Sequence, residues 1–128
     1  MVYVETWVKI VDNSGGFFAK CIRILTNSSY GRPGNEIVIA IKSILLNKKV
    51  THRVRRKVLK GTVRRAVIIR STYIKRWGNV NFRLFSTPAV AIIGRWEMPI
   101  GNRITGPACF EARGTKFIRI AMLSQGVI

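Results

Sequence analysis

Residues 2–11 alternate Val2, Val4, Thr6, Val8 and Ile10 with Tyr3, Glu5, Trp7 and Lys9, the period of two that a half-buried strand requires. Asp12-Asn13-Ser14-Gly15-Gly16 follows. Such residues tolerate left-handed backbone or bond their own main chain, so a turn is expected here. Strand character resumes over 17–25, breaks in a loop over 27–35 that carries Gly31, Pro33 and Gly34, and returns over 36–45. That third stretch is dense in Ile and Val and is expected to be the more buried. Residues 47–60 have no clean period and read as a long exposed loop or a splayed hairpin. In the fourth strand, 61–69, Val63, Arg65, Val67 and Ile69 lie on one side and Arg64, Ala66, Ile68 and Arg70 on the other. Neither side is purely apolar, so the basic beginning should protrude while the Ala66 to Ile69 end packs inside. Residues 71–81 suggest a second basic hairpin tip. A fifth strand is expected over 82–93, with Pro88 confining its middle to an edge or bulge because proline cannot donate to the ladder.

After residue 93 the texture changes to a loop punctuated by glycine and proline. A short helix is expected over 107–113, with Pro107 at its start. Another is expected from Thr115, with Phe117, Ile118, Ala121 and Met122 on one helical face; a strand is the other reading of that stretch. Short strands followed by one or two small helices predict a mainly β fold, a small five-stranded, OB-like barrel with a C-terminal helical appendage. The 128 residues suffice for one domain, expected to span 1–128.

Charge sharpens this picture. Twenty-three Lys and Arg stand against five acids, a formal charge of +18. Lys48, Lys49, Arg53, Arg55, Arg56, Lys57, Lys60, Arg64, Arg65 and Arg70 all fall in the stretch between Glu36 and Glu97, which contains no acid. Lys75 and Arg76 add a second cluster beside Trp77. Like charges so held repel one another, and a polyanion whose counterions are released on docking is the natural partner. A solvated basic loop is the alternative. The hydrophobic content of 48% argues against a disordered basic tail.

Little points to catalysis, and no cofactor or metal is expected. His52 sits in the basic stretch with no partner carboxylate in view, and the five acids are too scattered to divide acid and base roles. Gly31-Arg32-Pro33-Gly34 lacks the ending of a phosphate loop and reads as a turn. Cys21 and Cys109 lack metal-ligand spacing and read as buried small residues. No apolar run is long enough to span a bilayer, so no membrane partner is expected. The first residues start in strand alternation, with no cleavable address visible. Trp7, Tyr30, Tyr73, Trp77 and Trp96 could stack on unpaired bases, Trp77 best of all, although large aromatics in a small domain are usually core.

Four motifs then occur in order: Val11-Asp12-Asn13-Ser14-Gly15, Cys21-Ile22-Arg23-Ile24-Leu25, Ala66-Val67-Ile68-Ile69-Arg70 and Pro99-Ile100-Gly101-Asn102-Arg103-Ile104-Thr105-Gly106-Pro107. Together they resemble the large ribosomal subunit protein 14 family over nearly the whole chain. The resemblance implies a structural, non-enzymatic barrel bound to large-subunit ribosomal RNA at the face meeting the small subunit. It also implies a bridge to small-subunit ribosomal RNA, neighbours of the large-subunit protein 3 and 19 types, and a docking surface for a ribosome-silencing factor. The family's docking positions fall on Asn102, Arg103 and Lys116, and Arg113 is read as part of the same protein-facing surface.

Three departures stand out: Phe85-Ser86-Thr87-Pro88-Ala89 lacks the family's acid and amide, the loop around Thr51 to Lys57 is longer and more basic, and Asn102 replaces a threonine. The loss of acids and the Ile enrichment suggest an organellar copy on a mitochondrial matrix ribosome, encoded in the organelle, with bacterial cytoplasm or plastid as alternatives. A free-standing OB-type module that stacks single-stranded nucleic acid is the competing functional reading.

Overall fold

The computed structural model describes residues 1–45, 58–72, 74–77, 80–83, 85–114 and 116–128, with the backbone alone for 74–77 and 80–83. Among the described residues seven strands occur in chain order: β1 (Trp7–Ile10), β2 (Gly16–Ile24), β3 (Glu36–Ile44), β4 (Val63–Arg70), β5 (Ile74–Trp77), β6 (Val80–Arg83) and β7 (Ala89–Ile93). Five of them close a barrel in the order β1-β2-β3-β4-β7, while β5 and β6 form a separate antiparallel hairpin. The closing pair, β1 with β7, is parallel, and the other barrel pairs are antiparallel. Closure gives every barrel strand two neighbours, whereas the two-stranded β5–β6 hairpin is not closed.

Alternation decides which side chains fill the barrel. Val8 and Ile10 from β1, Ala19 and Cys21 from β2, Ile37, Ile39 and Ile41 from β3, Ala66 and Ile68 from β4, and Val90 and Ile92 from β7 form one interior cluster. Each buried Ile there contributes roughly 1.5–3 kcal/mol relative to exposure. Trp7 and Lys9 point outward, as the alternation predicted. On β4, Val63, Arg64 and Arg65 are exposed and Ala66 through Ile69 buried, the protruding basic start and packed end expected of it.

Three sequence expectations need correction. The first strand is shorter than 2–11, because Glu5 takes a left-handed φ of 73° and interrupts the run. Val2 instead bridges to Gly31, and its side chain still reaches the interior. The fifth strand, expected over 82–93, is two strands: Arg83 ends the hairpin, and β7 begins immediately after Pro88. Proline thus sits at the start of a strand, where its missing donor costs nothing, and its carbonyl accepts the Lys9 amide at 3.0 Å.

The third correction concerns the C-terminal region. The helix expected over 107–113 is a 3-10 turn (Phe110–Gly114), and one helix, α1 (Ile118–Met122), lies with the preceding Phe117 against the outer face of β4 and β7. Val67 and Ile69, with Ala89, Ala91 and Ile93, form a second core there with Ile104, Ala108, Phe117 and Ile120. This explains why β7 is buried throughout, since both of its faces are covered. The buried helical stripe is Phe117, Ile120 and Ala121; Ile118 (41%) and Met122 (74%), expected on that stripe, are exposed. The segment covers a sheet face and does not stopper the end of the barrel. Its tail is tied back by Phe110 N–H to the Ile128 carbonyl (2.7 Å) and Ile128 N–H to the Ala108 carbonyl (2.9 Å).

Candidate nucleic-acid interface and partner surface

The first and last motifs of the sequence, almost ninety positions apart, form one structural unit. Asp12 is nearly buried, and its Oδ2 accepts the Ile92 amide at 2.8 Å. Its Oδ1 accepts both the Ser14 amide and the Ser14 hydroxyl. The carboxylate thereby pins the β1–β2 turn to β7. Asn13 faces the other way. Its Oδ1 accepts the Asn102 amide at 2.9 Å, and the Arg103 amide lies at 3.4 Å from the same oxygen. Asn13 Nδ2 donates to Asn102 Oδ1. Gly101 is needed for this approach, because a Cβ there would stand 2.6 Å from Asn13 Oδ1. Thr105 N–H to the Val11 carbonyl, at 2.9 Å, closes the unit. Asn102 and Arg103 are thus exposed side chains on a backbone held from beneath.

Arg113 and Lys116, the other expected partner residues, are exposed as well. Lys116 is not free, however. It pairs with Glu97 and lies 3.8 Å from Glu36, whose other carboxylate oxygen pairs with Arg65. Arg65, Glu36, Lys116 and Glu97 therefore form a chain of alternating charges linking β4, β3, the segment just before α1 and the turn after β7. Pairing with Glu36 raises the Arg65 pKa above the usual arginine value. Sequence separation hid this network: Glu36 and Arg65 meet only because the β3–β4 register sets Val38 opposite Arg65, leaving Glu36 as its diagonal neighbour.

Arg70 also turns partly inward. Its Nη2 donates to the Thr105 carbonyl at 2.7 Å, and the guanidinium lies 5.6 Å over the Phe85 ring. Burial disfavours the charged form and lowers its pKa from the ordinary arginine value. Arg70 and Arg65, expected to meet RNA, thus carry structural contacts too.

The remaining described candidates, Lys60 and Arg64, are exposed. Lys48, Lys49, Arg53, Arg55, Arg56 and Lys57 lie outside the described residues, as does His52; for Lys75 and Arg76 only the β5 backbone is described. Further exposed cations outside the basic stretch from Lys48 to Arg70 are distributed over the strands and loops: Lys9, Arg23, Arg32, Lys42, Arg95 and Arg119. A surface with cations on several faces can hold folded RNA through dispersed phosphate contacts. Cys21 and Cys109 are both buried and unlinked. Among the described residues no group of His, Cys, Asp or Glu is placed to hold a metal ion.

The family model described as "Ribosomal protein L14p/L23e" matches residues 1–128. The "Large ribosomal subunit protein uL14m" of Acanthamoeba castellanii is 38% identical over 129 residues, spanning 98% of each chain. The protein of the same name from Acanthamoeba polyphaga is 38% identical over 116 residues, covering 88% of this chain and 97% of the relative.

Proposed function

The chain belongs to the ribosomal protein L14p/L23e family, structural and non-enzymatic constituents of the large ribosomal subunit, and on that premise we propose that it clamps large-subunit ribosomal RNA through phosphates at the intersubunit face. In this reading it also contributes a bridge to small-subunit RNA. One observation carries the proposal: a chain of formal charge +18 whose sequence from Lys48 to Arg65 contains no acid folds as a closed barrel with exposed cations on several of its strands and loops. Phosphates neutralise such a surface and return condensed counterions to solution.

The protein neighbours are proposed to be large-subunit proteins of the 3 and 19 types. Asn102, Arg103, Arg113 and Lys116 form the partner surface, on which a ribosome-silencing factor could dock. The relatives named uL14m support placing the protein on a mitochondrial ribosome. Encoding within the organelle belongs to the same proposal.

Two measurements test this reading. Ribosomes purified from the source and washed in high salt should retain the chain on the large subunit by mass spectrometry; loss to the supernatant counts against it. Neutralising Arg53, Arg55, Arg56 and Lys57 together should flatten the dependence of log K on log salt by about 0.7–0.9 for each phosphate that is no longer neutralised. An unchanged slope would show that this stretch does not touch RNA.

A further inference from the structure

The outer face of β1–β3 differs in kind from the covered face of β4 and β7. Trp7, half exposed at 56%, lies opposite Lys20, while Lys9 lies opposite Phe18 in the next row of the same face. Trp7, Phe18, Lys42 and Ser43 line a cleft of about 380 Å³ that opens broadly to solvent and is mostly apolar. Phe17 supports Phe18 edge-on, with ring centroids 4.5 Å apart, and Lys9 Nζ lies 5.9 Å from the Phe17 centroid. Ser43 Oγ accepts the Phe18 amide at 3.1 Å, which leaves the hydroxyl proton available to donate.

We propose that this cleft is a stacking site for one unpaired ribosomal RNA nucleotide, the base lying against Trp7 and Phe18 and its phosphate against Lys42. The inference rests on the RNA-binding reading above and adds to it a mode of contact that phosphate clamping does not require. Charge selects the occupant. Lys9, Lys20 and Lys42 meet a single exposed acid here, Glu5, which is already paired with Lys20. An apolar protein segment would gain nothing from that excess of lysines, and an acidic segment would leave the aromatic walls unused. A nucleotide supplies both a π-face and an anion. Two adjacent walls of aromatic rings on a rigid sheet also keep their geometry without cost at binding.

The test uses the purified full-length chain with two fluorescein-labelled probes, a 12-nucleotide oligouridylate and a blunt RNA duplex of equal length. Trp7→Ala should weaken the single strand about ten-fold, the scale of removing one stacked base, and leave duplex binding and its salt slope unchanged. Trp7→Phe should recover most of that affinity, and Phe18→Ala should repeat the weakening. Circular dichroism checks that each variant keeps the barrel. Equal weakening on both probes, or none on either, overturns the stacking site while leaving the phosphate reading standing. Failure of the unaltered chain to bind either probe overturns both. In purified large subunits, irradiation at 254 nm should join a nucleotide to the peptide carrying Trp7 or Phe18. Treatment of the same subunits with a bifunctional amine-reactive cross-linker that joins a neighbouring protein to Lys42, with no nucleotide adduct after irradiation, assigns the cleft to a protein and overturns the proposal.

Discussion

Asp12→Ala should be among the most damaging single substitutions in this chain. The side chain is 7% exposed and accepts three hydrogen bonds, from the Ile92 amide, the Ser14 amide and the Ser14 hydroxyl. Hydrogen bonds to a charged group contribute about 1.5–3 kcal/mol each, and a buried donor left unmatched costs about 1–3 kcal/mol. These quantities overlap. Water can reach part of the opened turn but not Ile92, which is fully buried, so a net loss of about 3 kcal/mol is expected. With a urea m-value of roughly 2 kcal/mol per molar, the midpoint should fall by roughly 1.5 M.

Asp12→Asn separates shape from chemistry. Its single carbonyl oxygen can serve either Ile92 or Ser14, and its NH2 then faces the other amide, so it should lose about 1–2 kcal/mol. Urea unfolding in moderate salt, which screens the self-repulsion of a +18 chain, measures both, and amide exchange at Ile92 reports the bond itself. If both variants shift the midpoint by less than the equivalent of about 0.5 kcal/mol, Asp12 is not the pin described above.

Gly106 has φ +84°, and a Cβ there would stand 2.5 Å from Arg70 Nη1, so Gly106→Val should cost about 1–3 kcal/mol in thermal unfolding and release Arg70 from Thr105. Gly101→Val acts differently, by driving its Cβ into Asn13 Oδ1; the expected result is a shifted Arg103 amide resonance, and an unmoved resonance would refute it. Glu5 has a lowered pKa, chiefly from its bond to Lys20 and then from the charge of Lys20 and Lys42. Its contribution to stability is therefore complete above the ordinary glutamate pKa and is lost as pH falls through the lowered folded value. Carboxyl NMR titration should show that low midpoint, and Lys20→Met should return it toward normal. Arg103→Glu should weaken partner binding in a pull-down with assembled large subunits while the barrel stays folded; unaltered affinity would remove Arg103 from the interface.

The barrel was legible where one face is apolar and the other polar. Val8 and Ile10 against Trp7 and Lys9, or the mixed start and packed end of β4, carry the necessary periodicity in their residue types. Legibility failed for two physical reasons. A left-handed Glu5 leaves no mark in an alternating pattern, because the residue types on either side still alternate even though Val4, expected inside, is exposed. The second outer core was hidden because it pairs two elements that each look self-sufficient: β7 reads as a plain buried strand, and Phe117 with Ile120 and Ala121 as half of a helix. Only the fold shows that each covers the other. Asn13 could be read as a turn residue from sequence, but its second task, gripping Asn102 and Arg103, needed the long-range approach of the two segments.

The placement of the C-terminal region changes which residues can speak for an interface. Its apolar stripe is consumed by Val67, Ile69, Ala91 and Ile93, so any protein-facing role must draw on what remains outside, such as Ile118, Met122 and Phe110 with Arg113, Lys116 and Arg119. The ion network changes the charge experiments in the same way. Lys116→Glu would bring a third carboxylate beside Glu36 and Glu97, and Arg65→Ala would strip the nearly buried Glu36 of its close partner. Weaker binding in either variant would mix a damaged fold with the removal of a phosphate or partner ligand. Arg64, the preceding residue on the same strand, makes no ion pair among the described residues and sits at the exposed end of β4. Comparing Arg64→Ala with Arg65→Ala therefore separates the two effects. A side chain that only holds phosphate weakens RNA binding without moving the unfolding midpoint, and a structural pair moves the midpoint first.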